Sequence, residues 1–310
     1  MIKTNNELKK WQNQDNQQGR SQIFRISKMK PQCFDISPCR KIICVGYTNK
    51  CLIFWDFISG QKLRCHQLSF IPMQILYSGD GKYQLIRSKQ NQKKIYIFKL
   101  SSMEYEEIVS STYLYQKILQ FNISKSQEAL MMGLSHISVI NYKNKWIQKQ
   151  VDFQFVSLTT LKNKDQICSV DCHYNLAEIN ILLLKRNLKV LKRTYFNVQN
   201  GNINIKTSNN NTFIVSSNKS KNRIWNIQTM KLLRKKCYGE DQIGELIINS
   251  LSNLVYFHLS SYGIVVWNIS TGRHRVVVED QKNRLSCLQV ISNCQLIYKS
   301  SWHIHSTICF

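Results

Sequence analysis

A phrase of three or four apolar residues ending on a large side chain, then a short polar turn, returns along this chain at nearly constant spacing. Its large residue falls at Trp55, Phe98, Ile140, Leu184, Trp225, Trp267 and Phe310, at intervals of 43, 42, 44, 41, 42 and 43 residues. Such a period excludes most single-core folds, because each unit is too short to bury its own apolar face and must stack on its neighbours. Within a unit the pattern is of strands. Cys33-Phe34-Asp35-Ile36, Ile42 to Gly46 and Leu52-Ile53-Phe54-Trp55 are alternating or apolar runs separated by Ser37-Pro38 and by a polar segment at Asn49. Hydrophobic residues are 43% and charged residues 20% of the 310, a globular balance that supports a sizeable core.

The unit Cys33-Phe34-Asp35-Ile36-Ser37-Pro38 … Leu52-Ile53-Phe54-Trp55-Asp56 … Ser59-Gly60-Gln61-Lys62 resembles a WD repeat. Ile264-Val265-Val266-Trp267-Asn268 before Ser270-Thr271-Gly272, and Arg223-Ile224-Trp225-Asn226-Ile227 before Gln228-Thr229-Met230, resemble it too. The resemblance to the WD-repeat (WD40-like) β-propeller family covers essentially residues 23–310. It implies an all-β fold, a seven-bladed β-propeller. Ile23-Phe24-Arg25-Ile26 is expected to close the ring as the strand missing from the last blade, so that no sheet edge is left open. Residues 1–22 are expected to be a polar tail, with a short helix at Thr4 to Trp11 as the ordered alternative. The departures matter. No blade carries the family's Gly-His pair, Trp-Asp survives only at Trp55-Asp56, and Asn226 and Asn268 stand in for Asp elsewhere. The family's buried His–Ser–Asp–Trp hydrogen bonds are therefore expected to be incomplete, with apolar packing carrying more of the stability. Asn222 occupies a place that is usually apolar.

Chemistry-bearing motifs are missing. There is no Gly-x-Ser-x-Gly, no phosphate-cradling loop, no dinucleotide fingerprint and no His-Glu-x-x-His. Cys168, Asp171, Cys172 and His173 lack the second ligand pair of a zinc site, and His303 and His305 are two ligands at most. No cofactor, metal or small-molecule substrate is expected, and the chain reads as a non-enzyme. The first 22 residues lack the apolar core of a signal peptide, and no run approaches the ~18 apolar residues of a membrane span. Eleven scattered cysteines suggest reduced thiols in a cytoplasmic or nuclear compartment, with Cys33, Cys44, Cys51 and Cys309 as core filler.

Lys+Arg is 43 against 18 Asp+Glu, a formal charge of +25. The abundance of Lys, Asn, Ile and Gln beside only two alanines is what an AT-rich genome produces, so part of that charge reflects coding bias. The expected role is a protein-interaction scaffold or complex subunit that binds other proteins, acidic segments in particular. The alternative is a nucleic-acid-associated propeller in a ribonucleoprotein particle. In this family the loops between second and third strands reach a common partner face. Here those loops carry Tyr47, Lys93, His136, Lys219, Lys221, Tyr262 and Trp302, aromatics beside cations, which is the composition of an interaction hot spot.

Overall fold

A computed structural model describes residues 22–24, 29–90, 94–110, 115–122, 128–133, 136–141, 146–152, 157–161, 166–173, 176–183, 189–197, 203–208, 210–218, 221–239, 241–249, 253–278, 287–290, 295–299 and 304–308. The described residues are β-strands and turns, and the chain divides into two compact units. The polar tail assigned to residues 1–22 lies outside the described residues except for Gln22, which opens the strand β1 (Gln22–Phe24).

The first unit, residues 22–154 with 301–304, contains three antiparallel sheets whose strands lie in chain order. They are β2 (Pro31–Ile36), β3 (Ile42–Tyr47), β4 (Cys51–Asp56) and β5 (Lys62–Gln67); β6 (Pro72–Tyr77), β7 (Tyr83–Ser88), β8 (Lys94–Lys99) and β9 (Glu104–Ser110); and β10 (Tyr115–Asn122), β11 (Glu128–Gly133), β12 (His136–Asn141) and β13 (Trp146–Asp152). The second unit holds residues 155–300 and 305–310, and its sheets follow the same plan. They are β14 (Ser157–Thr160), β15 (Gln166–His173), β16 (Leu176–Leu183) and β17 (Lys189–Asn197); β18 (Ile203–Thr207), β19 (Phe213–Asn218), β20 (Lys221–Asn226) and β21 (Leu232–Cys237); and β22 (Ile243–Asn249), β23 (Leu254–Leu259), β24 (Gly263–Asn268) and β25 (His274–Val278). A last sheet contains β26 (Cys287–Val290), β27 (Gln295–Lys299) and β28 (Ile304–Ile308).

The apolar middle strands and polar outer strands follow from the packing. β3, β4, β19, β20, β23 and β24 are buried along almost their whole length, because a sheet covers each of their faces. β5, β17 and β21 are mostly exposed. First strands of consecutive sheets are neighbours, β2 beside β6 beside β10 in one unit and β14, β18, β22, β26 in the other. One core joins Ile179, Ile181 and Phe196 to Ile214 and Trp225. The next joins Val215 and Ile224 to Phe257, Trp267 and Ile269. In the first unit Cys44, Leu52 and Phe54 meet Ile75, Ile86 and Phe98. Trp225 and Trp267 thus sit between sheets, as the spacing requires, and Trp55 is buried as well.

Register locates the repeat more finely than the sequence does. In five sheets the large residue sits one before the last of the third strand, opposite the second residue of the strand before it: Ile43 opposite Trp55, Gln84 opposite Phe98, Ala129 opposite Ile140, Ile214 opposite Trp225, Val255 opposite Trp267; Phe310 lies outside the described residues. In the fourth unit that position belongs to Leu182, opposite Ile167, and not to Leu184. The run Ile181-Leu182-Leu183-Leu184 is apolar throughout and carries no phase of its own.

The turn after each third strand explains why Asn can replace Asp. The backbone enters the left-handed region at Gly60 (φ 69°), Met103 (60°), Met230 (54°) and Gly272 (76°), five residues after the large side chain each time. Each of those amides donates to the carbonyl four residues earlier, on Asp56, Lys99, Asn226 and Asn268, at 2.8–3.0 Å. Asp56 Oδ1 accepts from the amides of Ile58 (3.0 Å) and Ser59 (2.7 Å) and from the Ser59 hydroxyl (2.8 Å). Asn226 Oδ1 accepts from Thr229 N and Asn268 Oδ1 from Thr271 N, each at 2.9 Å. At Asp56, Asn226 and Asn268 the side chain contributes an oxygen rather than a charge, and at Lys99 the backbone bond alone forms the turn. Between first and second strands, Ser37, Ser78 and Ser208 do similar work, each hydroxyl accepting from the first amide of the next strand, on Ile42, Tyr83 and Phe213. The indole donors also find partners: Trp225 Nε1 donates to Ser216 Oγ at 3.0 Å and Trp267 Nε1 to Gly272 O at 3.2 Å. The buried network is therefore partly kept.

Two outcomes follow. Trp267→Ala should cost about 3–5 kcal/mol, read from urea unfolding, since a fully buried aromatic leaves a cavity behind. The hydrogen bonds from Ser59 hold the Asp56 carboxyl below the usual carboxylate range. Its contribution is therefore present above the unfolded carboxylate value and lost as pH falls through the lower, folded one. Asp56→Asn should leave the melting temperature at pH 7 nearly unchanged and remove part of the loss seen below about pH 4.

Candidate interaction surface

The turns between second and third strands are short, which decides what they can display. In the first unit Tyr47 is still paired with Pro31 as the last residue of β3, and Lys50 N returns to Tyr47 O at 3.1 Å. Tyr47 is 1% exposed, and burial pushes its hydroxyl up. This corrects its assignment as a partner contact: the strand outlasts the expected loop and carries the ring into the interior. Lys94, which follows Lys93 and opens β8, is half-buried and ion-paired with Glu107 at 2.7 Å. His136 opens β12, at the intended end of its strand, with its backbone alone described. Lys93, Lys219 and Trp302 lie outside the described residues.

The second unit offers more. Lys221 opens β20, half-buried, between Asn218 and Cys237. Tyr262 lies in the turn between β23 and β24, half-buried, its ring against the core that contains Trp267. That turn is laced to the segment leading into β22. Asp241 Oδ1 accepts from Ser260 Oγ (3.2 Å) and Ser261 N (3.1 Å), Ser260 Oγ accepts from Gln242 N (3.0 Å), and Ser260 N donates to Gln242 O (3.1 Å). Tyr262 therefore stands on a braced turn, which lowers the entropy a contact there must overcome.

Two groups here escape a reading of sequence alone. Arg223, a cation that opens the Arg223-Ile224-Trp225 phrase, is 6% exposed. Its Nη2 donates to Asn197 O at 2.9 Å and its Cζ lies 4.7 Å from the centre of the Phe196 ring. Burial lowers its pKa, yet a guanidinium stays charged. It ties β20 to the end of β17 rather than facing a partner. Alternation along β20 could have flagged it, because Arg223 shares a face with Trp225. Asn222, on the opposite face, is fully buried, and among the described residues its amide makes no well-formed hydrogen bond. The Tyr238 hydroxyl beside it is raised by burial, an effect the Asn222 side chain partly offsets.

Cys33, Cys44, Cys51 and Cys168 are buried, and burial pushes the Cys44 and Cys168 thiols far up, so they are inert filler. Cys309 lies outside the described residues. Among the described residues no group of three or more His, Cys, Asp or Glu side chains could hold a metal ion. Nor is any helix among them long and apolar enough to cross a membrane.

No family model matches the chain, and no curated protein matches its sequence. In structure it is similar to U3-55K, a β-propeller protein, with a TM-score of 0.70 over 93% of this chain and 98% of that one at 12% identity. At that identity the likeness establishes the fold, a β-propeller built of small antiparallel sheets. Because 1755 solved chains match this one, the fold by itself selects no function.

Asn222→Val should raise stability by about 1 kcal/mol in chemical denaturation, because a buried amide without partners costs ~1–3 kcal/mol. A loss instead would mean that Asn222 bonds to an internal water or another group.

Proposed function

We propose that this chain is a seven-bladed, WD-repeat-like propeller that acts by binding rather than by catalysis, as a scaffold or subunit of a protein complex. In this reading β1 is the outer strand of the sheet that holds β26, β27 and β28, so that the first strand completes the last blade. The observation that carries the proposal is the recurrence of one rigid four-stranded unit, with the same two turns, on the fold shared with U3-55K. Stiff units with short braced turns present a fixed surface, and a fixed surface recognises a partner at low entropic cost.

The partner we favour is an acidic protein segment, met in the second unit by Lys219, Lys221 and Tyr262, with Lys93, His136 and Trp302 as proposed contacts of the first unit. The net charge of +25 supports this, since charge of one sign steers the opposite sign to the surface. The compartment we favour is cytoplasmic or nuclear, and we propose no cofactor or small-molecule substrate.

The test compares a fluorescent Asp/Glu-rich decapeptide with a single-stranded RNA of equal charge at two salt concentrations. Lys221→Glu should reduce the association rate with the acidic peptide by about tenfold at low salt and less at high salt. If the RNA binds far more tightly, with a steep salt dependence that Lys221→Glu flattens, the nucleic-acid reading replaces this one.

A further inference from the structure

Two cysteines meet across the outer hairpin of the first sheet. Cys51 opens β4 opposite Gln67 of β5, and Cys65 lies two residues earlier on β5, opposite Ile53. Opposed residues share a face, and so do residues two apart, so Cys51, Ile53, Cys65 and Gln67 project from one side of the sheet. Leu68 N donates to Lys50 O at 2.8 Å. Lys50 and Leu68 are therefore a hydrogen-bonded pair. By alternation Cys51/Gln67 and Ile53/Cys65 are the non-hydrogen-bonded pairs, whose side chains stand closer. The right-handed twist of the strands brings Cys51 towards Cys65 along the diagonal between those pairs.

The two thiols differ in their surroundings. Cys51 is 6% exposed, whereas Cys65 is exposed. Cys51 Sγ donates to Gln67 Oε1 at 2.9 Å, and Gln67 Nε2 donates to Asn49 O at 3.1 Å, in the turn before β4. Burial, and then the Cys65 thiol beside it, push the Cys51 thiol up, which keeps it the protonated donor that Gln67 meets. Burial alone makes a cysteine filler; a second thiol on the same face makes it half of a pair.

Diagonal neighbours stand about 7–8 Å apart, at the limit of what a disulfide spans without backbone movement. β5 is the strand that can supply the movement. Among the described residues it pairs on one side only, with β4, and its register already shifts at Leu63, two residues before Cys65. A bond that holds a strand displaced is readily reduced again.

We propose that Cys51 and Cys65 are a reversible dithiol–disulfide pair whose substrate is a low-molecular-weight disulfide of the glutathione type. The Cys65 thiolate attacks one sulfur of that disulfide; its S–S bond breaks, one thiolate leaves, and Cys65 carries a mixed disulfide. The Cys51 thiolate then attacks the Cys65 sulfur and expels the second thiolate. Two electrons pass from the protein to the small disulfide, and the two cysteine protons end on the two released thiols. Little of Cys51 is thiolate, but its attack is intramolecular, and adjacency compensates. The product ties the outer strand to its neighbour and removes the S–H that braces Gln67 against the Asn49 turn. This inference invokes no partner and stands or falls separately from the binding reading.

The test treats the full reduced chain with oxidised glutathione, blocks the remaining thiols with iodoacetamide and maps the tryptic peptides by mass spectrometry. Cleavage after Lys50, Lys62, Arg64 and Lys82 leaves Cys51 in residues 51–62 and Cys65 in residues 65–82, each with a single cysteine. The expected product is those two peptides joined, with no glutathione retained, and excess reduced glutathione should separate them again. Cys51→Ser should stop at the mixed disulfide on Cys65. Cys65→Ser should slow modification of Cys51 at least tenfold, with the melting temperature unchanged. Cys39→Ser, which removes another exposed thiol, should leave the link intact. The wild-type map needs no variant to fold, so it decides by itself if a substitution unfolds the chain. The proposal is overturned if the two peptides are recovered blocked and unlinked, if glutathione stays on wild-type Cys65, if either cysteine joins chiefly to a third, or if the link forms only in denaturant.

Discussion

The contact on which successive sheets of the second unit depend is the insertion of one turn into the corner of the sheet before it. A four-stranded sheet of six-residue strands has two apolar faces and no means of covering either by itself. The turn after the third strand solves two problems at once. Its left-handed residue closes the hairpin to the outer strand, and the same geometry projects Ile227 or Ile269 onto the preceding sheet. A cation on that sheet's outer strand then fastens the carbonyls that the tight turn leaves without strand partners. Local backbone conformation and sheet-to-sheet packing are thus one feature rather than two.

That coupling accounts for what the sequence tolerates. The aspartate after Trp can become asparagine because the turn consumes an oxygen atom. The glycine four residues later can become methionine because Met230 repays its strained backbone by burying its side chain in the adjoining core. Lys99, with neither carboxylate nor amide, still accepts the backbone bond from Met103.

The period, the third strands and their turns could be read directly, because Trp55, Trp225 and Trp267 are rare residues at fixed spacing. Phase is lost where every residue is apolar, so that spacing points to Leu184 where the register gives Leu182. The interaction surface was less legible. Tyr47 and Arg223 look like loop residues in a polar stretch, yet a strand one residue longer than supposed buries the first and strand alternation buries the second. Lys94 looks free until Glu107, thirteen residues on, arrives from the neighbouring strand. The cations that hold the turns are not legible, since Lys192 and Arg234 become equivalent only through cross-strand register.

The most direct measurement is amide hydrogen exchange on Ile269→Ala under native conditions. Ile269 belongs to the turn of one sheet and packs on another. The account predicts protection falling together in β18–β21 and β22–β25, because removing the inserted side chain opens the corner from both sides. Loss of protection confined to β24, β25 and their turn, with β18–β21 unchanged, would contradict it and show that the sheets hold together without the inserted turn.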